Sequence, residues 1–137
     1  MADQPVGTIV RLDDTALTVA DPADDVRGKK VVDSNGEEVG NVEGLMIDES
    51  ERRVRFLEVG SGGFLGLGEK KRLVPVEAIT RIEGDTIHIG REHTHVAGAP
   101  EYDPDVVPAP RYYEDQYGYW DYPPFWLSGY TYPPWRR

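Results

Sequence analysis

Residues 28–47, GKKVVDSNGEEVGNVEGLMI, decide the fold. Val31-Val32 runs into Asp33-Ser34-Asn35-Gly36, and an Asn-Gly step between apolar runs is a strong hairpin signal, because a tight type I′ turn needs positive φ at both central residues. The strand expected next carries Val39, Val42, Leu45, Met46 and Ile47, whose apolar positions keep no single parity. That pattern predicts a bulge, or a strand apolar on both faces. Val54 and Phe56 then alternate with Arg53 and Arg55, before Leu57 and Val59 move the apolar side to the other parity. Such a change of face is expected where a small sheet curls around itself. Leu73-Val74-Pro75-Val76 is an apolar run whose proline predicts an edge or a strand end. A second hairpin is expected at Glu83-Gly84-Asp85-Thr86, with Gly84 at the first central position of a type II′ turn between Ile79, Ile82 and Ile87, Ile89. No long window shows 3.6-residue periodicity with caps, so little helix is expected.

Composition narrows the class. The chain has 137 residues, 15 Lys+Arg against 25 Asp+Glu, a net charge of −10 and no Cys. A two-domain enzyme does not fit this length. The absence of Cys removes disulfides, thiol nucleophiles and thiolate metal sites, leaving packing to hold the chain together. No apolar run approaches the roughly 18 residues of a membrane span. The start, MADQPVGTIV, lacks the cationic flank and apolar run of a signal peptide, so a cytoplasmic protein is expected. Because nucleic-acid backbones are bound by Lys and Arg that displace counterions, the acidic balance argues against a nucleic-acid partner.

Residue type, rather than charge, divides the chain into an acidic extension (1–27), a β-rich domain (28–96) and an arm (97–137). All eight Tyr and all three Trp lie between Tyr102 and Trp135, which sets the arm apart from a domain holding only Phe56 and Phe64. Thr8-Ile9-Val10 and Leu17-Thr18-Val19 are strand-like but short, and disorder is expected up to about Asp25.

The order and spacing of several segments resemble the PRC-barrel domain family. They are Gly28-Lys29-Lys30-Val31-Val32-Asp33, Gly36-Glu37-Glu38-Val39-Gly40-Asn41-Val42-Glu43, Arg53-Val54-Arg55-Phe56-Leu57, Gly62-Gly63-Phe64-Leu65-Gly66-Leu67-Gly68 and Leu73-Val74-Pro75-Val76-Glu77-Ala78-Ile79. The family includes the cytoplasmic domain of the photosynthetic reaction centre H subunit and the C-terminal domain of the ribosome maturation factor. The resemblance implies a small barrel that binds other macromolecules and has no catalytic machinery of its own. The expected fold is therefore all-β, a PRC-type barrel of about five or six short antiparallel strands with irregular N- and C-terminal extensions. Val76 stands where the family often has an aromatic, which leaves the barrel short of one large side chain.

Four constellations are candidates for function. Gly60 to Gly68 leads into a strand rather than a helix, so it is not a phosphate cradle; Phe64, Leu65 and Leu67 either plug one end of the barrel or form a contact surface. Lys70-Lys71-Arg72 is a solvated face or, in the alternative, an RNA-facing patch. His88, His93 and His95 are the only histidines, and a metal site would start from His93 and His95 with Glu92 or Glu101; without further ligands fixed by spacing, no metal and no cofactor are expected.

The arm repeats Tyr-Pro-Pro-aromatic at Tyr122-Pro123-Pro124-Phe125 and Tyr132-Pro133-Pro134-Trp135, and Pro-Pro favours an extended chain that resists both helix and central strand. Its rings offer about 150–250 Å² of burial each. They can dock on their own barrel, on a second copy, or in a partner's groove. The candidate partner-binding residues are Phe64, Leu65 and Leu67 on the loop, with Tyr119, Trp120, Tyr122 and Phe125, then Trp126, Tyr130, Tyr132 and Trp135, on the arm. The expected function is a non-enzymatic protein–protein interaction or assembly module, its partner a protein not yet identified or a second copy, with a homodimer expected. An RNA- or ribosome-associated module is the alternative, and a metal-binding protein the further one.

Overall fold

Strand β3 (Glu38–Asp48) organises the sheet, because it is long enough to serve three neighbours. The structure, a computed structural model, describes residues 9–12, 25–61, 70–103 and 108–133. Along one edge, β3 pairs antiparallel with β2 (Lys30–Val32) near its start and with β1 (Ile9–Arg11) near its end. Its other edge takes β4 (Val54–Ser61), which in turn pairs with β5 (Lys70–Pro75). A 3-10 turn over Val76–Ala78 leads into β6 (Ile79–Glu83), which pairs with β7 (Thr86–Ile89). Strand β7 returns beside β2 in parallel, giving the order β5-β4-β3-β2-β7-β6.

Both expected hairpins form. Gly84 takes φ +56 and Asp85 is not among the positive-φ residues, as a type II′ turn requires. The first turn differs from the type I′ expectation. Only Gly36 has positive φ, at +84, and Gly36 N–H donates to Asp33 O at 3.0 Å, which is type I geometry followed by a left-handed glycine. The Asp33 side chain explains the change, since its Oδ1 accepts the N–H groups of Asn35 at 2.9 Å and Glu37 at 2.8 Å.

The barrel and the uniformly antiparallel strands do not hold. The sheet is open, with β5 and β6 at its ends, and one pair is parallel. Pro75 ends β5 without an N–H to offer. The free edge of β5 is instead met by the stretch before the arm, where Arg72 bridges Glu101 and Tyr102 N–H donates to Lys71 O at 2.8 Å. The N-terminal extension is not wholly irregular either, because β3 outruns β2 and the residues left over, Met46 to Asp48, pair with β1.

Two bulges explain the parity changes read in the sequence. Between β3 and β4 the register moves from Ile47↔Val54 to Met46↔Phe56, which leaves Arg55 as the extra residue, and Glu43 plays the same part on β3. Beyond the Arg55 bulge the alternation is regular. Leu57 and Val59 enter one core with Leu45, Ile47 and Val74, whereas Phe56 enters a second core on the opposite face with Met46 and Leu73. The apolar side moves to the other parity because both faces are covered, not because the strand wraps a barrel.

The cover of the second face is the arm, and it contains a helix where an extended chain is expected from its prolines. After the short α1 (His93–Ala97), α2 runs from Pro110 to Trp120. Its only proline is in the first turn, where the missing N–H costs nothing. Tyr113, Tyr117 and Trp120 fall at i, i+4 and i+7, and with Gln116 they form the buried stripe. Pro123-Pro124 lies beyond the helix end, and residues 121–133 have no regular secondary structure. Tyr113 and Tyr117 pack in the second core, and Trp120 reaches the first, the cluster that also holds Val76. The chain's own arm thus supplies a large side chain to the core where position 76 does not. Among the described residues, no helix is long and apolar enough to cross a membrane.

Since Trp120 has no exposed surface, Trp120→Ala is expected to cost about 3–5 kcal/mol of unfolding free energy. Leu127→Ala, at 50% exposure the control on the same arm, should change stability by less than about 0.5 kcal/mol. Urea unfolding monitored by circular dichroism measures both. A loss below about 1 kcal/mol for Trp120→Ala would contradict the packing described.

Candidate functional site

The arm is seated around Arg55. Because that residue is the bulged one, its side chain turns out of the ladder and lies under the segment following α2. Its Nε donates to Asp48 Oδ2 and its Nη2 to Glu51 Oε1, each at 2.6 Å. The guanidinium carbon stands 4.0 Å from the centre of the Phe125 ring, with Tyr132 and Tyr130 at 5.4 and 5.9 Å. Burial opposes the charge, but the hydrogen bond and charge of Asp48 outweigh it, so the guanidinium stays ionised. Two hydroxyls pin the coil beside it: Tyr132 donates to Val54 O at 2.8 Å, and Tyr130 donates to Glu77 Oε2. Burial pushes the Glu77 carboxyl above the usual carboxylate range, and burial with the Glu77 contact pushes the Tyr130 hydroxyl up.

The remaining arm residues singled out in the sequence pack on their own chain. Tyr119 donates to His95 O at 2.9 Å and its ring lies 4.5 Å from the His95 ring. Trp120 Nε1 donates to Gln116 Oε1 at 3.3 Å. The Tyr122 ring carries Arg91 at 4.7 Å, and Trp126 meets Tyr117 edge-on at 5.6 Å. Phe64, Leu65, Leu67 and Trp135 lie outside the described residues. Sequence reasoning missed Tyr113, Gln116 and Tyr117 on α2, although the spacing of Tyr113, Tyr117 and Trp120 was the available signal. Arg55 and Glu77 carried no signal, since only the bulge and the returning coil give them a role.

The basic run is engaged rather than free. Lys71 pairs with Glu43 and lies 3.8 Å from Glu58, while Lys70 and Arg72 reach Glu101 at 3.4 and 3.8 Å.

The three histidines separate. His88 Nε2 lies 3.2 Å from Glu83, and His95 packs between Tyr119 and Trp120. His93 Nδ1 lies 3.0 Å from Asp33 Oδ2 and 3.3 Å from Glu37 Oε1. Asp33, Glu37 and His93 are the one group among the described residues whose potential metal-ligand atoms all fall within 4.8 Å of one another; His88 and His95 join no such group. Asp33 already serves as a structural clasp, since its Oδ2 accepts the His93 N–H at 2.8 Å.

The family model described as PRC-barrel domain matches residues 19–90, just over half of the chain, and the chain belongs to that family. No curated protein matches the sequence.

The clasp joins the matched region, at Asp33, to α1 just beyond it, and its titration follows from its geometry. Burial would raise the Asp33 carboxyl, but the N–H groups of Glu37, His93 and Asn35 and the His93 ring outweigh it and hold it at about 2. Asp33 therefore stabilises the fold above its ordinary value of 3.8, and this is lost as pH falls toward about 2. The hydrogen bond to Asp33, aided by Glu37, raises His93 above 6.5, so its contribution is full below 6.5 and fades as pH rises through the raised value. An NMR titration should place the His93 midpoint above 6.5, and Asp33→Asn should lower it. A native midpoint at or below 6.5 would contradict the clasp.

Proposed function

We propose that this member of the PRC-barrel domain family is a non-catalytic protein-interaction module whose own C-terminal arm completes its core and whose outer arm surface meets the partner. The family points to a small domain of a general interaction or assembly kind. The observation that carries the finer reading is the burial of Trp120, Tyr117 and Tyr113 against the chain's own sheet while the opposite side of the same segment stays open, with Leu127 half exposed. Rigid, aromatic-rich surfaces held on a folded scaffold are well suited to anchor partners, because little side-chain freedom remains to be lost on binding.

Other features support a binding role over chemistry. Among the groups with shifted acidity, Asp33, Arg55 and Glu77 are each held by a structural partner: a turn, an ion pair and a tyrosine hydroxyl. The cations of the basic run face carboxylates, which favours a protein partner over RNA. Separation of the histidines favours it over the metal reading.

The three tryptophans, Trp120, Trp126 and Trp135, all belong to the arm, so intrinsic emission reports the arm alone. The full chain should emit at blue-shifted wavelengths, unchanged on dilution over about a hundredfold in concentration. Emission that reddens on dilution would place the arm on a second copy, and emission red at every concentration would leave it undocked; either result contradicts the reading.

A further inference from the structure

The end of α2 and the chain just beyond it enclose an open groove of about 520 Å³. Glu114 and Gly118 line it from the helix, Asp121 from the helix end, and Tyr122, Pro124 and Trp126 from the following segment. Its floor is Tyr117, buried and set edge-on to Trp126. Aromatic side chains and two exposed carboxylates therefore border one concavity.

Asp121 is the unexpected residue. It ends α2 in the left-handed region, at φ 65, where glycine or asparagine is usual. It also places a carboxylate at the negative end of the helix dipole, where the last turn holds no basic residue and the offsetting cation, Arg91, comes from outside the helix. Its carboxylate is exposed and borders the groove. The other side of the same helix end shows which group this environment accepts. Arg91 lies over the Tyr122 ring at 4.7 Å and donates through Nη2 to Trp120 O at 2.9 Å. On the groove side, the ring of Trp126 stands with the carboxylates of Glu114 and Asp121 in place of the Trp120 carbonyl, a setting that also suits a cation.

We propose that this groove receives the side chain of an arginine or lysine from a basic segment of a partner protein, its cation lying against the aromatic faces between Glu114 and Asp121. The proposal rests on the interaction-module reading and names the chemistry of the partner. A second copy fits less well than a basic protein, because two chains of net charge −10 repel one another.

The probe is an acetylated, amidated tetra-arginine peptide, with the tetra-citrulline peptide as its neutral match, titrated into the isotope-labelled full chain and followed by NMR. Saturable shifts are expected at the Gly118 and Asp121 amides and the Trp126 indole with the arginine peptide alone. The double change Glu114→Gln, Asp121→Asn should weaken binding about tenfold; asparagine tolerates the left-handed conformation, so the helix end is kept. Gly118→Leu should abolish the shifts, since a Cβ there meets nothing within 4 Å and the helix accepts the larger residue while the groove is filled. Shifts spread over other carboxylates and indifferent to Gly118→Leu would overturn the proposal, as would the absence of saturable shifts. If tryptophan emission is blue and the groove shifts are absent, only the groove fails; red emission removes both the groove and the docked arm.

Discussion

Phe56 lies on the face of the sheet opposite the larger core, and none of its surface is exposed. Met46 and Leu73 flank it on β3 and β5, so the middle of the sheet presents a second apolar face that water would otherwise meet. Tyr113 and Tyr117 cover it from α2, with ring centres 5.8 and 5.1 Å from Phe56. Once that contact is required, much else follows. The stretch after α1 has to pass the β5 edge, α2 has to present its aromatic stripe inward, and Asp121 has to turn the chain back across Arg55. A domain with few aromatics of its own gains its second core from the residues that follow it.

The charges beneath the arm belong to the same arrangement. Arg55 and Asp48 are both almost fully buried, and Glu58, with no exposed surface, accepts from Arg11 Nε at 2.6 Å. Buried ion pairs add little net stability against apolar residues of the same size, but removing one partner strands the other in a dry site. Their effect here is geometric. The Arg55–Asp48 pair fixes the bulge, the bulge aims the guanidinium at Phe125, and the aromatic coil closes over it. Gly44 fits the same logic, since a Cβ at that position would stand 2.6 Å from Glu58 Oε1.

The local β-structure was legible in the sequence. The positions of the two turns, though not the type of the first, the bulged β3 and the end of β5 at Pro75 all follow from residues within a few positions of one another. The open sheet was not, because the parallel β2–β7 pair and the covering of the β5 edge by Glu101 and Tyr102 depend on residues far apart in the chain. The shift of parity at Val54 to Val59 was visible but has a different cause, since Arg55 sits at a bulge and both faces are buried. Helix α2 was hidden by its surroundings. Tyr112, Tyr113, Tyr117, Tyr119 and Trp120 spread rings around the helix, so the stripe at Tyr113, Tyr117 and Trp120 does not stand out, and the Pro-Pro steps that follow argue for an extended chain. The arm's importance could be read from composition alone. The groove beside Gly118 could not, because it exists only when the coil beyond Asp121 folds back.

The contact between Phe56 and the arm tyrosines can be observed directly. Nuclear Overhauser spectra of the full chain should show cross-peaks between the Phe56 ring and the rings of Tyr113 and Tyr117, and an isotope-filtered spectrum of mixed labelled and unlabelled chains should show none of them between molecules. Cross-peaks that appear only between differently labelled chains, or that are missing from both spectra, would contradict an arm that completes the fold of its own chain.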